Sequence, residues 1–256
     1  MHKLTLAMIV KNENTDHFRQ CLESVAPHID YYIIADNGST DGTQDFIREF
    51  FKEKGIDGEV HDVPWVNFGH NRSEVLAMCK DKTHYTFMID ADDYIVGNLK
   101  LDMDKLISEG AHGYALRIKR GDFTWWRNQV FRTDADWCYK GVLHEYAACQ
   151  APQPHNFGRI EGDYHIDART LGARNKNHET GEGIDGIEKY SKDAEVLLSA
   201  LTNPEDPAYE PNNSRYQFYL AQSYFDSQQW EKAEEAYSKR ASMGGWKEEV
   251  FYSVFR

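Results

Sequence analysis

Two short apolar runs, each ending in a cluster of acidic residues, constrain this chain more than any other feature. Tyr31 to Ala35 runs into Asp36-Asn37-Gly38-Ser39-Thr40-Asp41-Gly42-Thr43, and Thr86 to Ile89 into Asp90-Ala91-Asp92-Asp93. Runs of this length suit strands buried on both faces, which calls for a sheet covered by helices on each side. The rest of the first hundred residues supplies those layers. Helical patterns carry Phe18, Cys21, Leu22 and Val25, then Gln44 to Lys54, then about Asn71 to Cys79, and further strands are expected at Leu4 to Val10 and Glu59 to Val63. Strands alternating with helices imply right-handed crossovers and an α/β fold: a mainly parallel sheet with helices on both faces. In such a sheet ligands bind beyond the carboxyl ends of the strands, where both acidic clusters sit.

Each cluster has a structural and a chemical reading. Asp36 to Thr43 can be a turn that caps the next helix, with Asp41 or Thr43 as cap and Gly38 and Gly42 supplying positive φ. It can equally hold Asp36 at a strand end to accept hydrogen bonds from a base and ribose. Asp90-Ala91-Asp92-Asp93 puts three carboxylates in four residues, which repel one another unless a counter-cation is present. A hard divalent ion, Mn2+ or Mg2+, takes oxygen ligands and would remove that repulsion. Residues two apart at a strand end point the same way, so Asp90 and Asp92 are expected to converge on one ligand.

Charge narrows the partners. The 256 residues carry 29 Lys and Arg against 42 Asp and Glu, a formal charge of −13 with no basic run to offset it. Such a surface repels polyphosphate, so no nucleic-acid partner is expected, and any bound phosphate must be held by a few local cations or a metal. Cys21, Cys79, Cys138 and Cys149 lie too far apart in sequence for a zinc ribbon or redox pair, and are expected to be free thiols. The apolar run at Leu4 to Val10 is too short to span a bilayer and lacks a cleavage site, which points to a cytoplasmic protein, with peripheral membrane contact left open.

The second half is organised differently. Ala151 to Gly186 is rich in Gly, His, Asn and charge and is expected to form irregular loops. From Ile187 the pattern is helical, broken by a loop from Pro204 to Pro211. Leu220-Ala221, Tyr224, Ala233 and Tyr237 sit at the small and large positions of a tetratricopeptide repeat. We expect an α/β domain over 1–186 and a small helical extension over 187–256 that offers a surface to a protein partner. One repeat cannot bury its own apolar face, so it packs on the first domain or belongs to a longer protein.

Taken together, Leu6-Ala7-Met8-Ile9-Val10-Lys11-Asn12-Glu13, the Asp-x-Gly-Ser-Thr-Asp-Gly-Thr run, the Asn71-Arg72 pair and the Asp-x-Asp pair resemble family 2 glycosyltransferases of the GT-A, Rossmann-like fold. The resemblance covers roughly Leu4 to His165, and some members of the family also carry tetratricopeptide-like helices afterwards. It implies a metal-dependent inverting enzyme that moves a sugar from a UDP-sugar donor to a hydroxyl of a carbohydrate, protein or lipid-linked acceptor. By the same resemblance Asp36 reads the uracil ring and Ala7 belongs to the nucleotide-binding set. Asn71 and Arg72 approach the diphosphate, Asp90 contacts the sugar nucleotide, and Asp92 binds the metal. Where members commonly show two acids in a row this chain has Asp36-Asn37, so the second acid has no counterpart.

An inverting transfer needs one general base. Asp134, Asp136 and Glu145 are candidates. Glu145 is favoured because Val142-Leu143-His144-Glu145 resembles a Val-His-Glu segment of relatives with helical tails. His165 is a candidate third metal ligand, and Arg169, Arg174 and Lys176 could close over the diphosphate. Trp125, Trp126, Trp137 and Tyr139 either stack on acceptor sugars or belong to the core. Two other functions compete. A nucleotidylyltransferase or similar nucleotide-sugar enzyme would place a glycine-rich basic loop where this chain has Lys11-Asn12-Glu13-Asn14. The second is a nucleotide-binding scaffold whose tail recruits partners, against which the intact Asp90 and Asp92 argue.

Overall fold

The structure is a computed structural model that describes residues 1–171 and 185–256. Four strands form its parallel half: β1 (His2–Val10), β2 (Tyr31–Asp36), β3 (Gly58–Asp62) and β4 (Thr83–Met88), in the order β3-β2-β1-β4. Helices α1 (Asp16–Val25), α2 (Thr43–Lys54) and α3 (Phe68–Met78) connect them. Side chains alternate across β1 as the period of two demands. Leu4, Leu6, Met8 and Val10 pack with Phe18, Leu22, Ile47 and Phe51 from α1 and α2. Ala7 points to the other face, with Val75 and Leu76 of α3. Burial of such side chains contributes about 1.5–3 kcal/mol each, so the two apolar layers, more than helix propensity, fix where the helices lie.

Beyond β4 the sheet is mixed. It continues through β5 (Tyr94–Gly97), β6 (Gly113–Arg120), β7 (Phe123–Arg132) and β11 (Tyr164–Asp167) in the order β4-β7-β6-β11-β5, with β10 (Phe157–Arg159) also paired to β6. β7 runs antiparallel to both β4 and β6. Antiparallel strands can leave one face in water, which is why the apolar pattern loosens here and Phe123 and Trp125 are exposed. α4 (Met103–Glu109) links β5 to β6, and β8 (Trp137–Lys140) with β9 (Tyr146–Cys149) forms a separate two-stranded sheet. The stretch from Ala151 to Gly186, expected to be irregular, therefore contributes β10 and β11. Both are too short for a strand pattern to stand out among their polar neighbours.

The chain divides into two compact units. The first takes Met1–Val66, His70–Tyr139 and residues 147–171. The second contains α5 (Gly186–Thr202), α6 (Ser214–Asp226), α7 (Trp230–Ser242) and α8 (Lys247–Phe255), together with Asn67–Gly69 and Lys140–Tyr146. Ala194, Ala200, Ala221, Ala233 and Ala236 let these helices approach closely around Leu197, Tyr216, Leu220 and Tyr237, and Val142 and Leu143 sit in the same core. The units thus do not follow a single cut at 186, because two short pieces of the earlier chain fold with the helices. Among the described residues no helix is long and apolar enough to cross a membrane. All four cysteines are free, Cys21 and Cys79 buried and the other two half-buried.

Candidate active site

The loop after β2 is tied to the end of β1. The Asn37 amide donates to the Val10 carbonyl at 2.8 Å. Asn12, at φ 53°, donates from its backbone to Ser39 Oγ at 2.8 Å and accepts the Thr40 amide on its side chain at 2.8 Å. Asn14 donates its backbone amide to the Asp41 carboxylate at 3.0 Å. Gly42, at φ 85°, takes the position before α2, while Asp41 accepts the Thr43 amide at 3.1 Å. The capping reading of this loop holds, and the same turn that starts α2 also fixes Asp36 through Ser39. That carboxylate is fully buried at the end of β2. Its Oδ1 accepts both the amide and the hydroxyl of Ser39, at 2.9 and 2.7 Å, whereas Oδ2 has no hydrogen-bond partner among the described residues. An orphaned buried oxygen costs about 1–3 kcal/mol, a cost that a ligand N–H would remove.

The second acidic cluster is a turn, closed by the Asp93 amide donating to the Asp90 carbonyl at 3.0 Å. Its residues do not alternate as in a strand, and its three carboxylates are partnered differently. Arg72 donates to Asp90 Oδ1. Arg127, on β7, lies 4.0 Å from Asp90 Oδ2 and 3.8 Å from Asp93 Oδ2. Asp92 accepts the Leu171 amide at 2.7 Å. Desolvation works to raise the Asp90 carboxyl, but Arg72 and Arg127 outweigh it and hold it below the ordinary carboxylate value. Asp93 goes the other way: burial, then the charge of Asp90, push it up to about 8. At Asp90 the repulsion expected to call for a metal is thus met by two guanidiniums, while at Asp93 it persists.

Several expected site residues lie elsewhere or are otherwise engaged. Ala7 is in the middle of β1, paired with Ile33 and Met88 and wholly buried, so no ligand at the strand end can touch it. Asn71 is buried in the second turn of α3, not at a helix start. Its amide group donates to the Pro64 carbonyl and accepts the Val66 amide, both at 2.9 Å, which makes it a brace for the preceding loop. His165 pairs with Val96, while Asp167 pairs with Tyr94. This register sets His165 about 7 Å further along the ladder from the acidic turn than Asp167, where it lines a hollow of about 290 Å3 with Arg117, Lys119 and Thr124. Arg169 spends its guanidinium on the Asp92 carbonyl, Gln20 and the His17 carbonyl and lies 4.2 Å from the Tyr94 ring centre, so it ties the turn down and is not available as a phosphate clamp. Arg174 and Lys176 lie outside the described residues.

Glu145 is half-buried in the second unit, in the tip Lys140–Tyr146 between β8 and β9. The helices hold that tip. Val142 and Leu143 are in their core, and the His144 ring stacks on Tyr219 at 4.0 Å. Arg215 donates to the His144 carbonyl at 2.9 Å while its other terminal nitrogen lies 3.8 Å from Glu249. His144 sits at φ 51°, a strained conformation for a non-glycine residue. The rival bases are ion-paired, Asp134 with Arg132 and Asp136 with Lys80. Of the aromatic candidates, Trp137 is core, packed on Phe131 at 4.7 Å and donating to the His112 carbonyl at 2.8 Å. The guanidiniums of Arg117 and Arg159 lie 5.2 and 5.3 Å from the Trp126 ring centre, and Trp125 is exposed.

Residues 5–162 match the family model for glycosyl transferase family 2. Among solved structures the chain is similar to TarS from S. aureus, with a TM-score of 0.52 and 12% identity over 94% of this chain and 49% of that one. It is also similar to S. aureus TarS in complex with UDP-GlcNAc, with a TM-score of 0.50 and 11% identity over 94% of this chain and 81% of that one. TarS in complex with UDP gives a TM-score of 0.51 at 13% identity over 94% and 80%. At these identities the likeness is one of fold. No curated protein sequence matches the chain.

Proposed function

We propose that this chain, which belongs to glycosyl transferase family 2, is an inverting glycosyltransferase that takes its sugar from a UDP-sugar with the help of a divalent cation. The observation that carries the donor reading is Asp36, a buried carboxylate at a strand end with one oxygen satisfied by Ser39 and the other awaiting a donor. The N3–H of uracil is such a donor. TarS, similar in fold, binds UDP-GlcNAc and UDP, which supports a uridine nucleotide here.

The acidic turn fits Mn2+ or Mg2+ in a limited way. Among the described residues no three His, Cys, Asp or Glu side chains gather as a cage. A small hard cation held by one carboxylate and completed by substrate phosphates and water needs none. Asp92 is the residue that would hold it, with Asp90 and Arg72 beside the sugar nucleotide. The bound cation would polarise the diphosphate and offset its growing charge.

The remaining work falls to the protein. In one displacement the acceptor hydroxyl loses its proton to the Glu145 carboxylate as its oxygen bonds to the anomeric carbon. The bond from that carbon to the diphosphate breaks, and its electron pair leaves with the diphosphate. The acceptor is a hydroxyl on a carbohydrate, protein or lipid-linked glycan. We read the helices as a tetratricopeptide-like extension suited to a protein partner.

A panel of nucleotide sugars tests this. UDP-sugars, with Mn2+ present, are expected to raise the melting temperature by about 5–10 °C at about 100 times Kd, with GDP- and ADP-sugars much weaker. Release of UDP in the same samples separates an enzyme from a scaffold that only binds. Asp36→Ala should weaken uridine and UDP alike, about 10- to 100-fold, because the lost contact is to the base. Calorimetry showing loss of UDP with uridine unchanged would move Asp36 to the phosphate side.

A further inference from the structure

Of the arginines around the acidic turn, Arg72 and Arg127 face its carboxylates and are held very differently. Arg72 has a nearly buried side chain, donates to Asp90 Oδ1 and lies over the Tyr139 ring at 5.5 Å. Arg127 is 41% exposed, and its Nη2 stays 4.0 Å from Asp90 and 3.8 Å from Asp93. Both separations exceed hydrogen-bond reach. The Arg127 guanidinium therefore makes no hydrogen bond to any described residue, although Asp90 and Asp93 lie close to it. A guanidinium left with its whole fork of donors ungiven, on a strand that fixes its backbone, is preorganised for an oxyanion that accepts two parallel N–H bonds.

The charge balance of the donor complex calls for such a group. A leaving nucleoside diphosphate carries more negative charge than one divalent cation offsets, and it arrives at a turn that already holds Asp90 and Asp92. The Arg169 guanidinium is spent on backbone carbonyls and Gln20. Arg72 is committed to Asp90. Among the described residues at the turn, Arg127 is the guanidinium that can move toward a ligand without breaking a hydrogen bond.

We propose that Arg127 binds the diphosphate of the donor, giving its paired N–H groups to the phosphate farther from the nucleoside and stabilising the charge that gathers there as the glycosidic bond breaks. This role rests on the nucleotide-sugar reading of the site and adds to it a residue from β7, outside the strand-end loops.

Calorimetry of the full chain with uridine, UMP and UDP in the presence of Mn2+ tests it. For Arg127→Ala, UDP affinity is expected to fall about 10- to 100-fold, with uridine unchanged and UMP affected little. Arg127→Lys keeps the charge without the fork and should recover only part of the loss. An unchanged melting temperature shows that each variant is folded, and for a variant that is not, Arg127→Gln supplies the comparison. UDP affinity unchanged in Arg127→Ala, or uridine and UDP weakened equally, overturns the role. A wild-type chain that binds UDP while the variant behaves identically sinks this inference alone, whereas a wild-type chain that binds no nucleotide removes the donor reading and this role together.

Discussion

Replacing Glu145 by Gln should cut sugar transfer about 10²- to 10⁴-fold while UDP affinity stays within about twofold. Gln keeps the size of the side chain and an accepting oxygen but cannot take a proton at neutral pH. The tip around residue 145 is shaped by Val142, Leu143 and the His144 stack, contacts that Gln at 145 leaves in place. The check is to measure transfer and UDP binding on the same variant, with the donor the panel selects and its acceptor. Near-normal transfer would hand the proton to Asp134 or Asp136, each of which would first have to leave an arginine or lysine. A collapse of UDP affinity would place Glu145 on the donor side.

The second large effect concerns Asp92. Asp92→Ala should remove most of the gain in UDP affinity that Mn2+ gives, about 100-fold, and leave the affinity without metal close to that of the wild type. Asp92→Asn separates two roles of this side chain. Asparagine can still accept the Leu171 amide, which the structure places at 2.7 Å from Asp92 Oδ2, but it carries no charge for a cation. If Asn behaves like Ala in the metal titration, the charge is what matters. If Asn restores wild-type behaviour, Asp92 serves the backbone and the cation is held elsewhere. Titrating Mn2+ against each variant by UDP calorimetry reads both outcomes.

How much of this was legible in the sequence depended on whether a feature is local. The parallel half was legible because strands buried on both faces leave apolar runs with no alternation, and because the turn chemistry after β2 is written in consecutive residues from Asp36 to Thr43. The mixed half was not, since β5, β10 and β11 are three or four residues long and owe their place to pairing. His165 illustrates the limit. Its residue type suits a metal, but the pairing of β11 with β5 puts it opposite Val96, and a register cannot be read from one strand. Asn71 shows a related limit: α3 begins three residues earlier than its pattern suggests, at Phe68, and the Asn71 amide braces the preceding loop. Arg127 gave no signal at all. It is one of two arginines in β7, 37 residues after Asp90, and the β4–β7 pairing makes the two neighbours.

The path of the chain through its two units also bears on how such a protein can change by descent. Asn67–Gly69 and Lys140–Tyr146 fold with helices that begin at Gly186, so the units are interleaved in sequence even though each is compact. A recombination breakpoint at any single position would part Val142, Leu143 and His144 from Tyr219 and Arg215, or strand some other piece of one unit with the other. Exchange of the helices between relatives as a ready-made cassette is therefore disfavoured. Side chains of α6 and of the tip that carries Glu145 must stay compatible as either one changes.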